Sequence, residues 1–296
     1  MNPMTRREAG KLLLGGVTGL VVGGQELFAK TTVNSKIRGV QIGVQAWSFR
    51  DMSLPDAIRA CRSAGLGECE LTDVNLASPS VGDWDARTKW VRSKPVSDFK
   101  DVRPQFDKAG VNLYAFTYGF RKGMTDEDID FGFQLAKLLG VRYITSSSNV
   151  SMAPRVDPFG QKYKITVGFH GHDDTANPDE FSTEETFDRA LHGASQYLAV
   201  NLDIGHFTAA GGDAVDYIRR HHDRIVTLHI KDRKKNHGEN VPFGEGDTPI
   251  VSVLRLLRDN RWAIPANIEY EYGKPEMDTI AEVRKSFEYC RKALES

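Results

Sequence analysis

The sequence predicts an α/β protein: a (β/α)8 TIM barrel in a single domain, with an N-terminal signal segment ahead of it. Three observations carry this. From residue 40 onward, eight short apolar runs alternate with longer amphipathic ones. Strand–helix units in series build a parallel sheet with right-handed crossovers, and eight of them suggest closure. Glycine stands where several helices should stop, in Ala64-Gly65, Ala109-Gly110 and Leu139-Gly140, because a left-handed cap suits a residue without Cβ. Ionisable residues also gather at the C-terminal ends of the later strand candidates, the end at which barrels carry their sites. An open doubly wound sheet is the alternative, but no glycine-rich phosphate turn follows the first strand.

The N-terminus has its own character. Thr5-Arg6-Arg7-Glu8-Ala9-Gly10-Lys11 is basic and holds an arginine pair, and an apolar, glycine-rich run follows from Leu12 to Gly24. A charged segment ahead of a short apolar one is the pattern of a secretory signal, and paired arginines point to the twin-arginine route. The expected location is therefore outside the cytoplasm, in the periplasm. The apolar run is too short and too rich in glycine for a stable membrane span. Residues 1–35 are assigned to this signal and a linker, and residues 36–296 to the barrel.

Along the barrel the strand candidates are Val40–Phe49, Glu68–Val74, Val111–Tyr118, Val141–Ser147, Thr166–His172, Ala199–Ile204, Ile225–Ile230 and Ala266–Tyr270. Helical spacing marks Leu54–Ala64, Val96–Lys108, Asp126–Leu139, Glu184–Ser195, Ala214–His222, Pro249–Asp259 and Thr279–Leu294. Pro154 and Pro158 predict a short or broken helix within Asn149–Lys164, since an interior proline removes a backbone donor. Ala77–Pro95, with Trp84 and Trp90, reads as a long loop at the site end of the second strand. It is either a lid or a loop packed on its own tryptophans.

Composition narrows the function classes. The chain has 296 residues, 40% hydrophobic and 27% charged, with a formal net charge of -1. That balance offers no field for nucleic acid or an anionic membrane. Three cysteines (Cys61, Cys69 and Cys290) make neither a disulfide framework nor a C-x-x-C metal site. A homo-oligomer is left open.

Side chains two apart on a strand share a face. The fifth strand then presents His170 with His172, and the sixth carries Asp203 ahead of His206. The seventh presents His229 with Lys231, the eighth Glu269 with Glu271, and the second Glu68 with Glu70. Burying so many ionisable groups without compensation costs several kcal/mol each, roughly, and a metal ion resolves that. Imidazole and carboxylate together suit one divalent ion of Mn, Zn, Co or Fe better than Ca. His172, Asp203, His229 and Glu269 are the expected ligands, with His170 and Glu271 as near substitutes. Lys231 offers a charge for an enolate oxygen, or else pairs with Asp232 or Glu271. Glu70 and His206 are candidate substrate contacts, His206 alternatively supporting a ligand. Trp47 offers a stacking face for a sugar, or a core contact. His221 and His222 are read as structural, on the opposite barrel face.

The runs Val167-Gly-Phe-His-Gly-His-Asp, Leu202-Asp-Ile-Gly-His, Leu228-His-Ile-Lys-Asp-Arg, Gly244-Glu-Gly-Asp and Ile268-Glu-Tyr-Glu resemble, as an ordered set, the xylose-isomerase-like TIM-barrel superfamily. Within it they are most similar to the sugar phosphate isomerase/epimerase group, over roughly residues 40 to 294. The resemblance implies one divalent ion, with Asp203, His229 and Glu269 among its ligands. It also implies proton transfer next to a ketone held on that ion. Isomerisation, epimerisation and an inosose-dehydratase-like loss of water share this first half. The fifth strand departs from the ketose epimerases, which carry a glutamate where this chain offers His170 and His172. That speaks against a two-glutamate mechanism, leaves a histidine able to act as the base, and admits lyase or hydratase chemistry on a keto-sugar or keto-glycoside.

The expected reaction is therefore an isomerase or epimerase step on a small-molecule sugar or keto-sugar, with lyase chemistry as the alternative. Glu271 or His170 is the expected base and Lys231 the enolate stabiliser. Two rivals remain: the metal-dependent apurinic endonucleases of the same superfamily, which a net charge of -1 and expected export disfavour, and a non-catalytic sugar-binding barrel, since fold alone never proves activity.

Overall fold

A computed structural model describes residues 32–273 and 277–296; the arginine pair and apolar run of the expected signal lie outside them. Eight parallel strands run in chain order: β1 Val40–Gln45, β2 Glu68–Thr72, β3 Asn112–Thr117, β4 Tyr143–Ser147, β5 Thr166–His170, β6 Leu198–Asp203, β7 Ile225–Ile230 and β8 Ala266–Ile268. Each pairs with its sequence neighbour. β8 returns to β1 through Ala266 with Ile42, and β1 reaches β2 through Gln45 with Glu70, so the sheet closes. A closed parallel sheet wrapped in helices buries both strand faces, and every residue of β2 and β6 is buried.

The helices among the described residues are α1 Leu54–Ala64, α2 Trp84–Arg92, α3 Val102–Ala109, α4 Asp126–Leu139, α5 Ala153–Tyr163, α6 Glu184–Leu191, α7 Ile204–Ala209, α8 Ala214–His221, α9 Ile250–Asn260 and α10 Thr279–Glu295. The glycine stops act as the sequence predicts: Gly65, Gly110 and Gly140 cap α1, α3 and α4 with φ of 86°, 66° and 67°. Thr125 and Asp128 cap α4 reciprocally, each satisfying a donor that the first helical turn leaves free. No helix among the described residues is long and apolar enough to cross a membrane.

Four local expectations are corrected. β1, β5 and β8 stop short of Phe49, His172 and Tyr270, because the chain turns out of the sheet at the barrel mouth. The stretch around Pro154 and Pro158 is an eleven-residue helix rather than a broken one. Pro154 falls in its first turn, where no backbone donor is needed. The stretch expected as one helix from Val96 divides into a 3-10 turn, Val96–Phe99, and α3. The expected loop at 77–95 contains α2, capped by Asp83. The buried Arg87 guanidinium fixes α2 by donating to Arg50 O (2.6 Å) and Ala77 O (3.1 Å). α2 is thus an anchored wall of the mouth. Ahead of β1, Val33 N–H donates to Gly110 O (3.1 Å) and Lys36–Ile37 pairs antiparallel with β1; chain packing begins inside the stretch assigned to the linker.

Candidate metal centre

Where β5, β6, β7 and β8 end, four buried side chains converge. His170, Asp203, His229 and Glu269 each bring a donor atom to within 4.8 Å of the others. Alternation explains the set: each is the inward residue within one position of the last paired residue of its strand. One buried atom of each has no hydrogen-bond partner, namely His170 Nδ1, Asp203 Oδ2, His229 Nδ1 and Glu269 Oε2. Buried polar atoms without hydrogen bonds are costly and rare; here Asp203 Oδ2, His229 Nδ1 and Glu269 Oε2 stand only at ion-pair distance from Lys231 or from each other.

A divalent ion fits. Ligands at about 2.1 Å from a common ion stand at most about 4.2 Å apart, so shifts of some tenths of an ångström would close the group. Burial, then the charge of His229, pushes His170 well below its ordinary pKa, leaving a neutral imidazole; against burial, Glu70 and Glu269 hold His229 well above its own, so His229 gives up a proton to ligate. Two imidazoles and two carboxylates suit Mn, Zn, Co or Fe over Ca.

The surroundings orient the group. Glu70, expected to touch substrate, lies behind it instead, with no exposure. It draws on five other strands: Gln45, Thr117, Thr145 and His229 at Oε1, and Asn267 at Oε2. No substrate could reach it. Burial opposes the charge on Glu70, but His229 and these hydrogen bonds outweigh it and hold the carboxyl below its ordinary range. His229 Nε2 stands 2.9 Å from Glu70 Oε1, and its Nδ1 is 3.2 Å from Glu269 Oε2. A carboxylate behind an imidazole fixes its tautomer and raises its strength as a ligand.

His172, the expected fifth-strand ligand, is not in the group. It sits two residues beyond the strand end, about one third exposed, with Nδ1 2.9 Å from Glu180 Oε1. Its ring borders the cavity, 4.9 Å from the ring of His170 and 5.2 Å from that of His206. Glu271 is likewise outside the group. Its Oε2 accepts from Lys231 Nζ (2.5 Å) and its Oε1 from Trp47 Nε1 (2.8 Å). Burial works against its charge, and Lys231 outweighs that to hold it ionised. With both oxygens engaged, it is a poor base. Lys231 takes the Glu271 option rather than Asp232, whose carboxylate accepts from the backbone of Gly244, Gly246 and Thr248. His206 Nε2 lies 3.0 Å from Lys231 Nζ, while Asp173 (3.2 Å) and Arg233 (2.6 Å) face its Nδ1.

Above the centre opens a cavity of about 430 Å³, bordered by His170, His229 and Glu269 and by Trp47, Trp84 and Arg121. The Trp47 and Trp84 rings meet edge to face at 4.5 Å. Both tryptophans therefore face this space, although the sequence had marked Trp84 only as part of a loop. His221 and His222 instead stack on Tyr217 and Trp262, consistent with a structural role. Among the residues that the sequence missed, Asn267 was legible, being two before Glu269 on the same face. Glu180 was not, since it lies in a loop without periodicity.

A closed (β/α)8 barrel with buried imidazoles and carboxylates at its C-terminal mouth defines a class of barrel proteins built around a candidate metal site. Residues 35–293 match the xylose isomerase-like TIM barrel family, and the chain belongs to it. An L-ribulose-5-phosphate 3-epimerase of Escherichia coli is 30% identical over 89 residues, 30% of this chain and 31% of that protein. The chain thus spans about a third of the length of the curated epimerases it matches. An inosose dehydratase of Mesomycoplasma hyopneumoniae is 21% identical over 304 residues, 88% of this chain and 98% of that protein. Among solved structures, a sugar phosphate isomerase/epimerase from Parabacteroides distasonis superposes with a TM-score of 0.61 at 18% identity, covering 87% of this chain and 96% of that one. An IolI protein with a bound zinc atom gives 0.65 at 14% identity, over 86% of this chain and 98% of that one.

Proposed function

We propose that the protein is a divalent-metal-dependent enzyme of sugar isomerase or epimerase type. It would move a proton on the carbon next to the carbonyl of a sugar or keto-sugar. The observation that carries this reading is the convergence of His170, Asp203, His229 and Glu269, whose donor atoms lie within 4.8 Å of one another, beneath a cavity that His170, His229 and Glu269 border. Bound there, the ion supplies Lewis-acid polarisation of the carbonyl.

The chain's own residues supply the remainder. His172 is the best-placed base. Its Nδ1–H donates to Glu180, which orients the ring and leaves Nε2 beside the cavity without a hydrogen-bond partner among the described residues. A base held by a carboxylate is the usual arrangement for taking a proton near neutral pH. The two fifth-strand histidines therefore exchange the roles expected from the sequence: His170 faces the centre and His172 the substrate. The Lys231 ammonium stabilises negative charge developing on the substrate's oxygen. Trp47 and Trp84 offer apolar faces to the sugar ring.

A second reading is loss of water from the same carbanionic species, giving a lyase. Two observations favour it: a histidine stands where ketose epimerases carry glutamate, and the dehydratase relative matches along 88% of the chain. Incubating a panel of free keto-sugars with the enzyme in heavy water separates the outcomes. Deuterium in recovered sugar or its epimer supports the first reading, and an unsaturated ketone absorbing in the ultraviolet supports the second. Turnover of neither free keto-sugars nor sugar phosphates would remove the sugar assignment.

Elemental analysis tests the centre directly. About one equivalent of Mn, Zn, Co or Fe is expected in the purified chain and none in an Asp203→Ala, His229→Ala double variant; no metal in either, after reloading, ends the proposal. We also propose export through the twin-arginine route, on the pair Arg6-Arg7. Cell fractionation of an Arg6→Lys, Arg7→Lys variant tests it, and an unchanged periplasmic fraction would oppose it.

A further inference from the structure

Lys231 is a buried ammonium with two sets of neighbours. On one side its Nζ is 3.2 Å from Asp203 Oδ2 and 3.0 Å from Glu269 Oε2. These are ion-pair distances without hydrogen-bond geometry; Asp203 Oδ2 has no hydrogen bond, and Glu269 Oε2 has beside it only His229 Nδ1, at 3.2 Å. On the other side it donates to Glu271 Oε2 at 2.5 Å and faces His206 Nε2 at 3.0 Å. The stem is confined: a Cβ at Gly205 would lie 2.9 Å from Lys231 Cγ and 2.8 Å from its backbone oxygen. Only the tip is free to change partners.

We propose that Lys231 is a tethered competitor for the metal, which limits how tightly the centre holds a divalent ion and yields to it by moving toward Glu271 and His206. This rests on the metal centre proposed above. An ion bound by Asp203 and Glu269 must share their oxygens with the ammonium or expel it. At a site with almost no solvent, like charges a few ångströms apart repel far more strongly than in water. Three carboxylates (Asp203, Glu269 and Glu271) face this one lysine, so removing it leaves an uncompensated excess of negative charge for the ion. Glu271 is the resting place that makes the exchange tolerable. A centre tuned in this way loads and releases its ion more readily than its four donors alone would allow.

The test is Zn²⁺ affinity, read by competition with a chelating dye on the full chain after metal removal, with circular dichroism to verify folding. Lys231→Met and Lys231→Gln should each bind Zn²⁺ at least about tenfold tighter than the unaltered protein. Glu271→Gln should bind more weakly, and that loss should shrink when Lys231 is also replaced, because the two residues act as one unit. Lysine variants with unchanged or weaker affinity overturn the proposal while leaving the metal centre standing. If the unaltered protein binds no Zn²⁺ and Asp203→Ala makes no difference, the metal centre itself falls and this inference with it. Should Lys231→Met fail to fold, Lys231→Gln and Glu271→Gln decide.

Discussion

His229 Nε2 and Glu70 Oε1 stand 2.9 Å apart, both side chains at most 2% exposed. This pair joins the interior of the barrel to its mouth. Glu70 gathers donors from β1, β3, β4, β7 and β8 at the barrel axis, and through His229 it sets the direction of one face of the candidate metal centre.

Glu70→Gln should therefore weaken metal binding without removing any ligand. Loss of a carboxylate behind a ligating histidine costs about 10- to 100-fold in affinity. The same chelator competition reads it, and an affinity equal to that of the unaltered protein would mean that Glu70 is only a packing residue.

The fifth-strand histidines separate by what each variant loses. His170→Ala should lose the metal. His172→Ala should keep it, yet slow solvent proton exchange into substrate by about 100- to 10,000-fold. Metal loss in His172→Ala together with retention in His170→Ala would restore the assignment made from the sequence.

Glu68 makes stability depend on pH. Burial pushes its carboxyl up to about 7 from an ordinary 4.5, against a hydrogen bond from Asn112. Between those values the folded chain binds more protons than the unfolded one, so stability falls as pH rises through that window. Glu68→Gln should flatten this slope and stabilise the chain at pH 8 by up to about 3 kcal/mol. Denaturant titrations at pH 5 and pH 8 measure it; the same slope in the variant would assign the dependence to other groups.

Gly43 is required by its neighbour. A Cβ at this position would overlap the Asn267 side-chain oxygen, and Asn267 donates to both Glu70 and Thr227. Gly43→Ala should cost about 1–3 kcal/mol by overpacking and loosen metal binding through Glu70. Thermal unfolding and Zn²⁺ titration together check the two effects, and a stable variant with full affinity would show that the amide repacks freely.

The alternation of strands and helices, the glycine stops and the inward faces at His229 and Glu269 were legible in the sequence. They depend on local rules: period two in strands, period 3.6 in helices and left-handed caps. Depth was not legible. Residues two apart on one strand share a face but differ by about 7 Å along it, so His170 and His172, or Glu269 and Glu271, are equivalent in sequence and unlike in space. Where β5 and β8 leave the sheet decides which member of each pair meets the other strands. The same holds for Glu70, whose inward direction was evident but whose position beneath the centre was not. Glu180 and Trp84 reach the site from loop and wall segments whose placement is set only by packing. Sequence periodicity determined the barrel and the residue types at its mouth; the assignment of one donor per strand, and of Lys231 between Asp203 and Glu269 on one side and Glu271 and His206 on the other, was decided by tertiary closure, because only closure brings eight strand ends to a common depth.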